Sequence, residues 1–199
     1  MLFFELLTGG DLLYLMKMLA LSTDNRGMDD AALVNRILVG DDRAFALLYR
    51  RHARYLAKVI VRILGNDSEL DDVMQETFIA ASRYVNDVKD PQKMRPWLVQ
   101  IAVRIAQKRV AKQKRMPSVS LETRHLSASS DAHDNWAREV LYAALDTLSS
   151  RLRTPWILYR IEGFSLLETA DACEVSLATV KRRVTRAEKK LRSKIDAYR

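Results

Sequence analysis

Apolar residues along this chain recur at spacings of three and four, the period of a helix that buries one face. No run alternates at the period of two that a half-buried strand requires. In MDDAALVNRILVG, residues Ala32, Leu33, Arg36, Ile37 and Val39 form one amphipathic turn series that stops at Gly40. Asp41 and Asp42 are placed to cap the next helix, where Phe45, Leu48, Tyr49, His52, Leu56, Val59, Ile60 and Ile63 form the apolar stripe before Gly65. Ser68 is the candidate N-cap of ELDDVMQETFIAASRYV, whose acids sit in the first turn, where the helix dipole favours them. Asn86 to Pro96 reads as a polar loop, and Pro96 as the first residue of the helix PWLVQIAVRIAQKRVAKQ.

From Lys112 to about Ser130 the pattern stops; MPSVSLETRHLSASS is Ser-rich and polar, a linker composition. A second patterned block begins near Asp134. It holds WAREVLYAALDTL, then PWILYRIEG opened by Pro155, then SLLETADAC, then SLATVKRRVTRAEKKLRSKI. Ser165 caps the third of these, with Leu166, Leu167, Ala170 and Cys173 as its inner face. Gly and Pro number only six and four, and no internal repeat relates the blocks. The expected fold is all-α: two small helical domains joined by a flexible linker. The divisions are an extension at 1–27, domains at 28–112 and 134–199, and a linker at 113–133.

On a wheel, Val180, Val184, Ala187, Leu191 and Ile195 of the last helix fall together as a core stripe. Ala178, Thr179, Arg182, Thr185, Arg186 and Lys189 face outward, flanked by Lys181 and Arg192 on one side and by Arg183 and Lys190 on the other. A charge run alone is most simply a solvated face. Its context is more specific. A short helix, a tight turn at Glu174-Val175, a Ser176 cap and a basic helix faced with small residues describe a helix-turn-helix. Small side chains let such a helix enter the major groove, Arg can bond guanine edges with two donors, and flanking cations meet phosphates.

Charge fits this reading. The 199 residues carry a formal net charge of +8, which suits a polyanion partner, and the charge is segregated. Asp67 to Glu76 holds five acids and no base, whereas Arg104 to Arg115 holds six bases and no acid, which suggests two different partner surfaces. Cys173 is the one cysteine, which rules out an internal disulfide and a Cys-based zinc site; no metal site or cofactor is expected. His52, His125 and His133 are scattered, and there is no Gly-rich phosphate loop, HExxH or Cys–His pairing, so an enzyme is disfavoured. The opening stretch MLFFELLTGGDLLYLMKMLAL meets neither the signal-peptide pattern nor the near-uncharged length of a membrane span. It is read as an interaction helix or as sequence upstream of a later start, with Met28 favoured. Membrane insertion is not expected, and the expected location is the cytoplasm.

GFSLLETADACEVSLATVKRRVTRAEKKLR resembles the second conserved helical domain of bacterial sigma factors, "G-x-S-x-x-E-x-A…V-x-x-x-T-V-K-x-R-x-x-R-A-x-x-x-L", in order and spacing. ELDDVMQETFIAASRYV is similar to that family's "D-x-x-D-x-x-Q-E-x-F" helix, and PWLVQIAVRIAQKRVAKQKR to its "W-L-x-x-I-A-x-N" helix. With only these two domains, the chain resembles the extracytoplasmic-function (ECF) group of the sigma-70 family over roughly residues 29 to 196. The resemblance implies a sigma factor that binds core RNA polymerase, through the β′ clamp helices and the β flap, and directs it to promoter DNA. It implies docking by Asp71, Asp72, Gln75 and Glu76. It implies contacts to the −10 element by Lys89, Arg95, Trp97, Gln100, Arg104, Lys108 and Arg109, with an unstacked base held by the loop Val88 to Arg95. It implies contacts to the −35 element by Thr179, Lys181, Arg182, Arg183, Thr185, Arg186 and Lys189. An anti-sigma factor is the family's usual regulator.

Three positions depart from the family pattern. Arg104 replaces the usual Asn, DPQKMRP replaces the usual G-x-x-x-F-R-T loop, and Glu174 stands where Gly is common. If position 174 needs a positive φ, Glu costs about 1 kcal/mol there. The alternative to a sigma factor is a helix-turn-helix regulator that does not bind polymerase, which would need neither the DDVMQE helix nor the basic helix after Trp97.

Overall fold

The computed structural model describes residues 27–113 and 132–196, with the side chains of 113 and 132–138 left aside. The N-terminal stretch 1–26 and most of the linker, 114–131, lie outside the described residues. Every regular element described is a helix. The first block comprises α1 (Asp30–Leu38), α2 (Asp42–Leu64), α3 (Leu70–Tyr84), two 3-10 turns (Val85–Asp87 and Pro91–Lys93) and α4 (Met94–Gln113). The second comprises α5 (Ala132–Asp146), α6 (Ser150–Arg160), α7 (Leu166–Cys173) and α8 (Leu177–Asp196).

Punctuation residues explain most of the boundaries. The Asp29 carboxylate accepts from Ala32 N–H at 2.8 Å to start α1, and Asp41 accepts from Arg43 and Ala44 N–H to start α2. Gly65 ends α2 in the left-handed region at φ +85°, as expected of a glycine C-cap. Ser165 and Glu168 form a full capping box at the start of α7. Ser176 Oγ accepts from Thr179 N–H at 3.2 Å to start α8.

Five expectations are corrected. Ser68 does not cap α3, because its N–H and its hydroxyl both donate to Asn66 Oδ1, a local turn that captures the side chain first. Pro96 is the third residue of α4 rather than the first; the leading N–H groups of a helix have no intrahelical acceptor, so proline is tolerated there. Pro155 lies inside α6, which begins at Ser150 and runs through it at the loss of one backbone bond. On α7 the buried face is Thr169, Ala170, Ala172 and Cys173, while Leu167 is 62% exposed, a turn of 100° away from its neighbour Leu166. Val39 likewise sits outside the core, past the end of α1.

In the first block α2, α3 and α4 pack on one another, with α1 laid against α2. In the second, α8 packs on α5, α6 and α7. The two blocks share a continuous buried cluster, with α4 against α7 and α2 against α6. Val180, Val184 and Ala170 form a smaller cluster that fixes the angle between the two helices of the helix-turn-helix.

The contact between blocks is polar as well as apolar. Glu162, whose side chain is 3% exposed, accepts from Arg62 Nη1 at 2.6 Å and from Tyr55 Oη at 2.7 Å. Arg62 Nε also donates to Tyr142 Oη at 3.2 Å. Burial, together with the Glu162 carboxylate, pushes the Tyr55 phenol far above its ordinary range. Arg153, 7% exposed, lies directly over Gly65; a Cβ added there would fall 2.0 Å from its Nη1. At that site the backbone of one block approaches the other as closely as only glycine allows.

Candidate nucleic-acid interface

The helix-turn-helix is built by its turn. Val175 N–H donates to Ala170 O at 3.1 Å and Glu174 N–H to Asp171 O at 3.2 Å, the two bonds of a Schellman ending. That ending places Glu174 at φ +53°, the one non-glycine positive φ among the described residues. The strain expected of Glu at this position is therefore present. The turn frees α8 to present its outer face. Lys181, Arg182, Thr185, Arg186 and Lys189 are exposed, and Thr179 and Arg183 half-buried at the flank. Val180, Val184, Ala187 and Leu191 are buried beneath them, and Ile195 is partly so. Among the described residues, Lys181, Arg182, Arg186 and Lys189 have no ion-pair partner. Among the described residues, the face is a row of exposed cations.

The second candidate face lies on α4 and the loop before it, and its surroundings are different. Lys89 and Lys108 are exposed. Trp97 is half-buried against the core and Gln100 half-buried beside the turn of the helix-turn-helix. Arg104 Nε lies 3.2 Å from Glu174 Oε1, and its Nη2 points at Asp171 O at 3.5 Å. Arg95 stacks its guanidinium over the Tyr55 ring at 4.5 Å. A groove of about 550 Å³ separates α4 from α7, lined by Gln100, Arg104, Asp171, Glu174 and Ser176. The second block therefore stands over part of the surface expected to meet the −10 element.

Arg109 differs most from expectation. Its Nη1 donates to Glu69 Oε2 and Asp72 Oδ2, each at 2.7 Å, and its Nη2 pairs with Glu76. Hydrogen bonds donated to the Glu69 and Glu76 carboxylates hold its pKa above the ordinary arginine value. It faces α3, not open solvent. The acids it meets include two of the residues expected to dock polymerase; Asp71, Asp72, Gln75 and Glu76 are themselves all exposed. Glu69 lies at the start of α3, where the helix dipole favours an acid. Its spacing to Asp72 and Glu76, three and then four residues, is the sequence signal that the three carboxylates share a stripe.

His52 is 3% exposed, as its apolar stripe predicted, and its Nε2 meets Asp30 at 3.1–3.2 Å. Burial lowers its pKa while Asp30 opposes the shift. Burial pushes the Cys173 thiol up to about 11, consistent with a packed rather than a reactive cysteine. No cluster of potential metal ligands occurs among the described residues.

Comparison with known proteins identifies the class. Residues 48–116 match the family model for Sigma-70 region 2, and residues 138–191 that for Sigma-70, region 4. Together these span more than half of the chain, which belongs to the sigma-70 family. Curated relatives include the ECF RNA polymerase sigma-E factors of Haemophilus influenzae and of Escherichia coli K12. Each is 26% identical over 182 residues, an alignment covering 84% of this chain and 96% or 95% of the relative. The chain is a sigma factor of the ECF group.

Solved structures agree with the architecture. CnrH, in complex with the cytosolic domain of CnrY, is 28% identical with a TM-score of 0.59, covering 84% of this chain and 97% of that one. The sigma factor RpoE of Bartonella quintana, solved with the anti-sigma factor NepR, shares the fold at 22% identity. Its TM-score is 0.56, over 73% of this chain and 92% of that one.

Proposed function

We propose that this sigma factor docks on core RNA polymerase through Asp71, Asp72, Gln75 and Glu76 of α3 and delivers it to a promoter. The −35 element is read by α8, with Arg182, Thr185 and Arg186 reaching base edges and Thr179, Lys181, Arg183 and Lys189 meeting phosphate. The −10 element is taken by the loop before α4 and by α4 itself, with Lys89, Arg95, Trp97, Gln100, Arg104 and Lys108. The functional units are residues 28–112 and 134–199, with 113–133 between them. The chain itself makes no bond: it positions the catalytic core. The observation that carries this reading is the pairing, in one chain, of an exposed acidic helix with a basic recognition helix whose cations are exposed among the described residues.

The contact between blocks has a consequence for promoter binding. Elements named −10 and −35 lie about 25 base pairs apart, roughly 85 Å of B-DNA at 3.4 Å per pair. Arg104 and Glu174 lie 3.2 Å apart here. Both faces reach their elements only after the blocks separate, and the segment from 114 to 131 can span about 60 Å when extended. An anti-sigma factor that holds the blocks together is the fitting regulator, as the two solved relatives were each captured with a binding partner. No described helix is long and apolar enough to cross a membrane. The proposed location is the cytoplasm, where core polymerase works.

The test is size-exclusion co-elution with sigma-free core polymerase, followed by run-off transcription. Co-elution with promoter-dependent transcripts is the expected result. Tight DNA binding without co-elution would favour a plain helix-turn-helix regulator. Reversing Asp72 and Glu76 together to Lys is expected to abolish co-elution while leaving the helical circular-dichroism signal intact; unchanged co-elution would sink the docking assignment.

A further inference from the structure

Glu69, immediately before α3, and Asp72 and Glu76 in its first two turns lie along one stripe, and the Arg109 guanidinium from α4 reaches all three. A planar fork with five donors can do this; an ammonium, a compact point charge on a flexible stem, cannot hold three acceptors in fixed directions. Without the guanidinium, three carboxylates that converge on one point would repel and fan apart. With it, each is fixed through one oxygen. Asp72 and Glu76 nonetheless remain 64% and 49% exposed, open to a partner on their outer side. Asp71, on the same turn, is exposed beside them and adds a further carboxylate to the face.

We propose that Arg109 is a positioning residue of the polymerase-docking face, not a DNA contact: it sets the carboxylates of α3 in the geometry that a cationic helical partner meets. The inference rests on reading α3 as the docking face. It separates Arg109 from Lys108, its exposed neighbour, which has no ion-pair partner among the described residues and remains a phosphate-facing cation.

The experiment compares full-length Arg109→Gln, Arg109→Lys and Lys108→Gln with the native chain. Two readouts are used: affinity for sigma-free core polymerase without DNA, and the salt dependence of binding to a random duplex. Arg109→Gln is expected to weaken polymerase association tenfold or more while its salt slope on DNA stays native. Lys108→Gln is expected to keep native association and to lose about 0.9 from the salt slope, the value of one phosphate contact. Arg109→Lys, which restores charge without the fork and guards against a variant that fails to fold, is expected to fall between Gln and native in association. Native association by Arg109→Gln, with or without a reduced DNA slope, would overturn the proposal while leaving the docking face standing. Failure of the native chain to associate would overturn both.

Discussion

Helices α4 and α8 are both cationic and both resemble DNA-reading helices, yet the fold treats them differently. On α8, Lys181, Arg182, Arg186 and Lys189 project from a sealed apolar stripe into open space. On α4, Arg109 is held by three carboxylates of α3, and Arg104 by the acidic turn of the other block. In sequence, positive charge on a helix says that a polyanion would be welcome. Only the tertiary structure says whether the chain has already supplied the anion. Among the described residues it has not for the α8 cations, whereas on α4 it has for Arg104 and Arg109.

The strongest way to break the comparison is to release what stands over α4. Glu162 is nearly buried and accepts from Arg62 and Tyr55, whereas the Arg104–Glu174 pair is exposed on both sides, 45% and 63%. Exposed pairs contribute about 0–1 kcal/mol, whereas removing one partner of a buried pair costs about 3–5 kcal/mol. Glu162 is therefore the polar anchor between blocks. Glu162→Gln is expected to destabilise the folded chain by about 3 kcal/mol, read by chemical unfolding, with faster amide exchange along α6 and α7. Unchanged exchange there would mean that apolar packing alone holds the blocks together.

A smaller effect sharpens the α8 side. Arg186→Ala is expected to weaken promoter-specific binding by about 1–3 kcal/mol with little change on random duplex. Equal loss on both substrates would place Arg186 at the phosphates. Smaller still, Glu174→Gly is expected to raise stability by up to about 1 kcal/mol, the relief of the positive φ less the small contribution of the exposed bridge to Arg104 that it removes. A destabilised Glu174→Gly would show that the bridge outweighs the strain.

The least effect is one of pH. Burial depresses the His52 pKa below its unfolded value of about 6.5, so protonation favours the unfolded chain. His52 thus contributes stability that is full above pH 6.5 and is lost as pH falls through the depressed folded value. The native midpoint of thermal unfolding is expected to drop more steeply below pH 6.5 than that of His52→Gln. Parallel profiles would assign the acid sensitivity elsewhere.

The sequence made the helices, their caps at Asp41, Gly65, Ser165 and Ser176, and the α8 stripe legible, because each rests on neighbours within one or two turns. It misplaced Ser68, Pro96 and Pro155, where a competing local bond or a tolerant first turn shifted a boundary that pattern alone leaves loose. The exposure of the α8 cations Lys181, Arg182, Arg186 and Lys189 and of the α3 acids was legible from helical facing. The role of Arg109 and the anchor at Glu162 were out of reach. Arg109 meets its acids 33 to 40 positions away, and Glu162 meets Tyr55 and Arg62 at separations of 107 and 100, with no periodicity to join them.

The central claim is that the blocks rest against each other in the free chain and part when it works. The most direct measurement is a fluorescence distance between labels at Lys58→Cys and Lys194→Cys, both exposed and outside the proposed contacts, in a Cys173→Ser background. A short distance in the free protein that lengthens by tens of ångströms with core polymerase and promoter is the predicted result. A distance that stays short while promoter-dependent transcripts accumulate would contradict the account.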